Sequence, residues 1–254
     1  MQITFDSQPT PGQDVNEDLA IAGPRFAFVL DGATAEAGID SGCQHGVAWY
    51  VSRLGGELAR LLALDDADPL PDLLATAITR VRALHSITCD LDNPGTPSST
   101  VALVREAPDR VDYLVLADSP IVMRSTNGEV TPVLDDRVEH LPGRDPETVR
   151  SHRNVEGGFW VAGAKPEAAH RALTGSVPTR SLASVGLFSD GSSRLAERHG
   201  MSWGQLLDLL EAQGPAQVIA QVRAADGRAD PGSYPGKPHD DATAMLCRFR
   251  PAQP

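Results

Sequence analysis

Apolar positions in this chain follow two rhythms, and their succession sets out the elements. Residues 25–30 (RFAFVL) form a short, nearly unbroken apolar run that stops at Asp31-Gly32, and its length and aromatic content predict a strand. Over 41–64 the spacing changes. Val47, Tyr50, Val51, Leu54, Leu58, Leu61 and Leu62 recur at intervals of three and four, predicting an amphipathic helix with Asp40 or Ser41 as its N-cap. Pro69 and Pro71 interrupt the chain. Leu74, Ile78, Val81 and Leu84 then mark a second helix from about 71 to 89.

Strands follow without helices between them. Ser99–Arg105 and Val111–Ala117 are apolar and β-branched. A run over Ile121–Thr126 meets Asn127-Gly128 and then EVTPVL, a strong hairpin signal. From about 135 to 182 the pattern weakens, and Pro142, Pro146, Pro166 and Pro178 predict an irregular, partly helical insertion near the surface. Order returns at Ala183–Ser189, which ends at Asp190-Gly191. Helices are predicted near 202–212 and 215–225, a loop over 226–239, and a last strand over Ala242–Phe249. Consecutive strands speak for antiparallel pairing. The order fits an α+β fold of antiparallel sheets covered outside by helices, in one domain without repeats or linkers.

Composition narrows the chemistry. The chain has 254 residues, long enough for a sizeable core, with a net charge of −12. That charge argues against nucleic acid or an anionic membrane as partner, and it suits a site that gathers cations. The three cysteines, Cys43, Cys89 and Cys247, are far apart and outside any CxxC pattern. They predict neither a disulfide framework nor a zinc knuckle, and they suit a reducing cytosol. Cys43 and Cys89 fall on the two predicted helices and read as small core residues. The N-terminal residues have no signal-peptide character, and no apolar run approaches the ~20 residues of a membrane span, so a cytoplasmic location is expected.

The candidate chemistry lies at the strand ends. Three apolar runs end in Asp followed by a small residue, at Asp31-Gly32, Asp118-Ser119 and Asp190-Gly191. A fourth run starts from Asp240-Asp241. Any one of these reads as a common turn. Four of them, each beside a buried run, predict carboxylates gathered around a divalent cation, because such a cluster repels itself unless neutralised. Asn16-Glu17-Asp18, ahead of the first core strand, is a further acidic group able to reach the same place.

In order, the chain shows Asn16-Glu17-Asp18, Leu30-Asp31-Gly32, Ser98-Ser99-Thr100, Ala117-Asp118-Ser119, Phe188-Ser189-Asp190-Gly191 and Asp240-Asp241-Ala242-Thr243. This series resembles the motifs of the metal-dependent protein phosphatases of type 2C, the PPM family, in its bacterial form, over nearly the whole chain. The resemblance implies a four-layer α-β-β-α sandwich of two antiparallel sheets flanked by helices. It implies two Mn2+ or Mg2+ ions, with a third site in bacterial members. By position Asp31 would bridge two ions and the Gly32 carbonyl would bind one. Asp190 and Asp240 would complete the other ion's shell, and Asp118 with Asp190 would form the third site. Glu17 and Asp18 would act mostly through water. Asp31, Asp190 and Asp240 would be the residues on which catalysis depends. A hydroxide shared between the ions would attack phosphorus, and the stretch over 136–182 would be the family's flap.

Four positions depart from that series. Gln13 stands where many members carry a phosphate-binding Arg, and a neutral amide is a poorer phosphate ligand. Ala33 stands where eukaryotic members carry a His. Ala117 and Pro120 replace the usual Gly and Arg around Asp118-Ser119. Asp241 replaces the commoner Asn, with Asp240 in the ligand register. His239 is a candidate for a supporting role beside Asp240. Arg150, His152 and Arg153 read as a solvated basic face of the flap, Trp49 and Tyr50 as packing residues, and Ser98-Ser99-Thr100 as structural. The leading expectation is a phosphoserine/phosphothreonine protein phosphatase. The alternatives are a phosphatase of a small phosphorylated metabolite and a non-catalytic phosphoprotein-binding module. Ligand completeness favours an enzyme.

Overall fold

The computed structural model describes residues 1–33, 40–64, 67–230, 232–234 and 237–249. In chain order its first elements are β1 (Gln2–Gln8), β2 (Leu19–Ala22), β3 (Phe26–Leu30), β4 (Gly32–Ala33), α1 (Val47–Leu64), α2 (Leu70–His85), β5 (Ser98–Ser99), β6 (Val101–Glu106) and β7 (Arg110–Leu116). There follow β8 (Ile121–Ser125), β9 (Val130–Val133), α3 (Pro146–Ser151), β10 (Leu173–Pro178), β11 (Leu182–Phe188), α4 (Asp190–Glu197), α5 (Trp203–Gln213), α6 (Pro215–Asp226) and β12 (Ala242–Arg248).

The strands make two five-stranded sheets, ordered β1-β12-β11-β8-β9 and β10-β7-β6-β3-β2, and a short β4-β5 ribbon. Every pairing between them is antiparallel. The unbroken apolar run of β3 has a simple cause, since both of its faces are covered. Phe26, Phe28 and Leu30 pack with Leu54, Leu58, Leu74 and Ile78 of α1 and α2. Ala27 and Val29 face the other way, packing with Val185, Leu187, Met245 and Cys247 of the opposite sheet. Outside that sheet, Phe188, Ala244 and Leu246 pack with Leu206, Leu210, Val218 and Val222 of α5 and α6. The layers are therefore α-β-β-α, as the antiparallel succession predicts.

The hairpin turns at Asn127-Gly128, with Gly128 at φ +89 and Arg124 paired with Val130. α5 begins with a capping box in which Ser202 and Gln205 exchange hydrogen bonds. Elsewhere the boundaries differ from the periodicity. α1 starts at Val47, not near residue 41, and neither Asp40 nor Ser41 caps it. Instead Asp40 Oδ1 accepts from the Gly42 N–H at 2.9 Å, and Gly42 turns at φ +67; this side-chain bond offers the backbone a loop in place of a helical turn. α2 ends at His85, where the Thr88 hydroxyl takes the His85 carbonyl. Cys43 and Cys89 thus lie in loops, not on helices.

The stretch over 136–182 is less peripheral than its pattern suggests. Leu173–Pro178 is an edge strand paired with β7. Trp160 and Ala162 are buried with α1 and α2, and Ala162 bridges Ser99. Arg153 is engaged rather than solvated, donating to the Pro94 carbonyl at 2.9 Å and to the Ser98 hydroxyl. Among the described residues no helix is long and apolar enough to cross a membrane.

Candidate metal centre

Asp31 sits between β3 and β4, held by a pair of bonds with β5–β6. Its N–H donates to Thr100 Oγ1 at 3.3 Å, and its carbonyl accepts from the Thr100 N–H at 2.9 Å. Its carboxylate receives the Asp190 N–H at 3.1 Å, so the first residue of α4 points its amide at Asp31. A helix N-terminus favours an anion. Around Asp31 stand Asp18, Asp190, Asp118 and Asp240. Burial, and then their repulsion, hold its carboxyl well above the usual carboxylate range.

The neighbours share the predicament. Burial, reinforced by the charge of Asp240, raises Asp190, although Arg194 and Arg198 pull the other way. Asp118 follows the end of β7, and desolvation, reinforced by the charge of Asp190, pushes it up to about 7. Asp18 is buried and also pushed up to about 7, chiefly by desolvation, despite hydroxyls of Thr243 and Ser189 beside it. Its Oδ2 has no hydrogen-bond partner. Carboxylates that raise one another in this way, one of them with an orphaned buried oxygen, form an all-oxygen donor set suited to a hard divalent cation.

Gly32 and Gly191 are required by close approach and not by a turn, since neither has positive φ. A Cβ on Gly32 would lie 2.6 Å from the Glu17 carbonyl, and one on Gly191 would lie 1.8 Å from the Asp241 carbonyl. The bland reading of Asp-Gly as a loop signal therefore fails at both places. The glycines let two acidic segments touch. Glu17 is half-buried at the same junction, and its N–H donates to Asp241 Oδ2 at 2.6 Å.

The Asp240-Asp241 pair divides its tasks. Asp241 is buried, and its other oxygen accepts from the Thr10 N–H at 2.7 Å and hydroxyl at 3.0 Å, so it staples the β1–β2 loop to β12. Asp240 is left facing the cluster, positioned by Arg194. That guanidinium is 1% exposed and bonds Asp240 Oδ2 at 3.3 Å, Asp226 Oδ2 at 3.2 Å and the Pro238 carbonyl at 3.2 Å. His239 turns toward Asp226, with Nδ1 3.6 Å from its Oδ2.

Two acidic residues join the site without a sequence signal. Glu197 lies two turns along α4 from Asp190, accepts from the Ser193 hydroxyl at 2.9 Å, and is pushed up to about 7 by burial with help from Asp190 and Asp118. Glu139 adds its charge to Asp118. The i, i+3, i+7 spacing of Asp190, Ser193 and Glu197 could have shown it, but α4 has too little apolar pattern to be read as a helix. Ala117 adopts φ +65, a left-handed conformation that glycine takes freely, and its N–H donates to the buried Asp135 at 2.8 Å. Gln13 is exposed, its N–H closing a turn to Thr10.

No curated protein matches the chain by sequence. Among solved structures, the fold resembles the serine/threonine phosphatase PstP/Ppp of Mycobacterium tuberculosis, with 17% identity, 98% of each chain covered and a TM-score of 0.63. A PstP catalytic domain in complex with two manganese ions matches at 16% identity over 96% of each chain, with a TM-score of 0.62. Stp1 of Staphylococcus aureus, a serine/threonine phosphatase, matches at 14% identity over 98% of this chain and 95% of its own, with a TM-score of 0.64. At these identities the likeness is one of fold. Residues 8–223 match the sequence profile described as protein phosphatase 2C, and the chain belongs to that family.

Proposed function

We propose that this chain is a metal-dependent phosphatase of phosphoserine and phosphothreonine in proteins. The single observation that carries it is the convergence of Asp18, Asp31, Asp118 and Asp190, whose carboxyls are all held above the usual range by desolvation and then by one another's charge, a donor set that bound cations would neutralise. Asp31, the Gly32 carbonyl, Asp190 and Asp240 would hold two Mn2+ or Mg2+ ions. Asp118 with Asp190 would hold a third, and Glu17 and Asp18 would support the cluster from further out. Divalent ions held by these residues would supply an acidified water as nucleophile and positive charge to offset that of the phosphoryl oxygens.

The chain's own residues supply order and charge. The α4 N-terminus fixes Asp31 through the Asp190 N–H, and Arg194 fixes Asp240. With a neutral amide at Gln13, Arg198 and Lys237 are the cations best placed to meet the substrate phosphate. Arg198 lowers the carboxyls of Asp190 and Glu197, and Lys237 lies 3.5 Å from Asp240. Both line a cavity of about 360 Å³ with Tyr234 and Asp226. Arg198→Ala is expected to raise KM about tenfold with little change in kcat, as loss of a charge-assisted phosphate contact worth about 1.5 kcal/mol would.

The neighbours described as serine/threonine phosphatases support the substrate class. The test is to assay purified protein with manganese on phosphopeptides and on a panel of phosphorylated metabolites. Manganese-dependent release of phosphate from the peptides is the expected result. Release confined to metabolites would overturn the protein substrate, and no release from either would favour a binding module.

A further inference from the structure

We infer that Cys43, His45, His85 and Cys89 form a second metal site, a closed tetrahedral zinc centre apart from the acidic cluster. Ligand atoms from all four lie within 4.8 Å of one another. The pattern is Cys-x-His before α1 and His-x3-Cys at the end of α2. His85 closes that helix, and the Cys89 N–H donates to its carbonyl at 3.0 Å, continuing one turn that brings both side chains to the same side. On the other half, Gly42 at φ +67 lets Cys43 face them.

The distances suit zinc. Bonds of about 2.3 Å to sulfur and about 2.0–2.1 Å to nitrogen put tetrahedral S···N edges at about 3.5 Å and the S···S edge at about 3.8 Å. Cys43 Sγ lies 3.6 Å from His45 Nδ1 and 3.4 Å from His85 Nδ1, and Cys89 Sγ lies 3.4 Å from His45 Nδ1. The two sulfurs are 2.9 Å apart, so that edge would open as a cation entered. That separation is too long for a disulfide, near 2.05 Å. A disulfide would also need no imidazole, and here two converge on the sulfurs. His85 is 3% exposed, and the ring nitrogen it turns into the cluster is Nδ1, aimed at the Cys43 sulfur. Soft thiolates with imidazoles select zinc over the hard cations of the acidic centre.

The surroundings give the site a structural task. Trp49 stacks on His45 with centroids 4.0 Å apart and packs against His85 at 5.2 Å. Backbone and amide bonds also join the two loops, Asp90 N–H to the Gly42 carbonyl at 2.7 Å and Asn93 Nδ2 to the Asp40 carbonyl at 3.1 Å. The second loop runs on into β5, which pairs with β4 and so with Gly32 at the acidic centre. Zinc here would clamp the chain where it enters α1 to the chain where it leaves α2. Four protein ligands leave no open position, so the centre takes no substrate.

This inference does not rest on the phosphatase reading, and its test separates the two. The full chain, expressed without a histidine tag, is assayed for zinc by mass spectrometry of the elements. About one equivalent is expected, retained in Asp31→Ala and lost in the Cys43→Ser/Cys89→Ser double variant. Cobalt-loaded wild-type protein is expected to show thiolate-to-cobalt charge-transfer absorption, which a carboxylate site cannot give. Zinc kept by the double variant, or cobalt spectra without thiolate bands, would overturn the assignment. So would zinc-free protein whose intact mass shows a Cys43–Cys89 disulfide. Because the cobalt spectrum uses the unmutated chain, the inference stays testable even if the variants do not fold.

Discussion

The acidic centre and the Cys43–His45–His85–Cys89 cluster are built by opposite means. The first draws carboxylates from segments as distant as Asp18 and Asp240, whose charges raise the carboxyl of Asp31 between them. The second draws sulfur and nitrogen ligands from the two loops at one end of a helix pair. Without a cation, the acidic centre is repulsive once ionised, whereas the sulfur-nitrogen cluster is merely close-packed. The first is held together by the rest of the fold. Arg194 fixes Asp240, Asp241 staples β1–β2 to β12, and two glycines permit contact. The second contributes to holding its own loops. A site that does chemistry can be strained in this way because the sandwich behind it over-determines its geometry.

The sharpest break in the comparison is expected from Asp31→Ala and Asp190→Ala. Each removes several kcal/mol of transition-state stabilisation, so turnover should fall about 10³-fold or more. Zinc content and secondary structure should be unchanged. Activity surviving in both variants, measured with manganese in excess, would mean that the acidic centre is misassigned.

Arg194→Met comes next. It leaves Asp226 buried with one fewer cation and frees Asp240, and losing one member of a buried ion pair costs about 3–5 kcal/mol. Denaturant melts would measure it. A loss below about 1 kcal/mol would show that Arg194 is not what braces the acidic side.

A smaller effect distinguishes the sites by pH. Asp18 and Asp118 carry carboxyls at about 7 in the fold against 3.8 ordinarily. A raised carboxyl favours folding while it stays neutral. Its stabilising contribution is therefore full below 3.8 and is lost as pH rises through about 7. In chelator, the melting temperature should fall across that window. Added manganese should restore more near about pH 8 than near about pH 5, where protons compete for the same oxygens. Equal restoration at both would remove repulsion as the organising feature of the acidic centre.

The smallest change is Ala117→Gly. Relief of a left-handed alanine worth about 1–2 kcal/mol, less about 0.4–1 kcal/mol of extra unfolded-state entropy, predicts a gain of at most about 1.6 kcal/mol. A clear loss of stability in thermal melts would show that the methyl group packs to better effect than its conformation costs.

Much of this was legible in the residues. The central strands stood out because both faces of each are buried, as in β3 and β11. The elements that escaped notice share a cause. β1, β2 and β10 are three of the four sheet edges, and an edge strand such as QITFDSQ or LTGSVP carries no apolar run to read. The fourth edge, β9, was visible only because Asn127-Gly128 announced its hairpin. α4 escaped because most of its buried side chains are polar, with Ser192 and Arg194 satisfied by bonds to distant parts of the chain and Leu195 the one apolar side chain among them.

By itself the sequence determined the two layers of strands, the flanking helices, the acids at the strand ends and the family to which their order points. Those properties follow from local periodicity and from motif order, both of which lie along the chain. Only the tertiary structure decided what Asp241 does beside Asp240, why Gly32 and Gly191 must be glycine, and that Glu197 joins them. Only it, too, brought Cys43 and His45 against His85 and Cys89. Those outcomes depend on which distant groups come within bonding distance, and helix ends set by Asp40, Gly42 and Thr88 moved two cysteines from predicted core positions into one shared cluster.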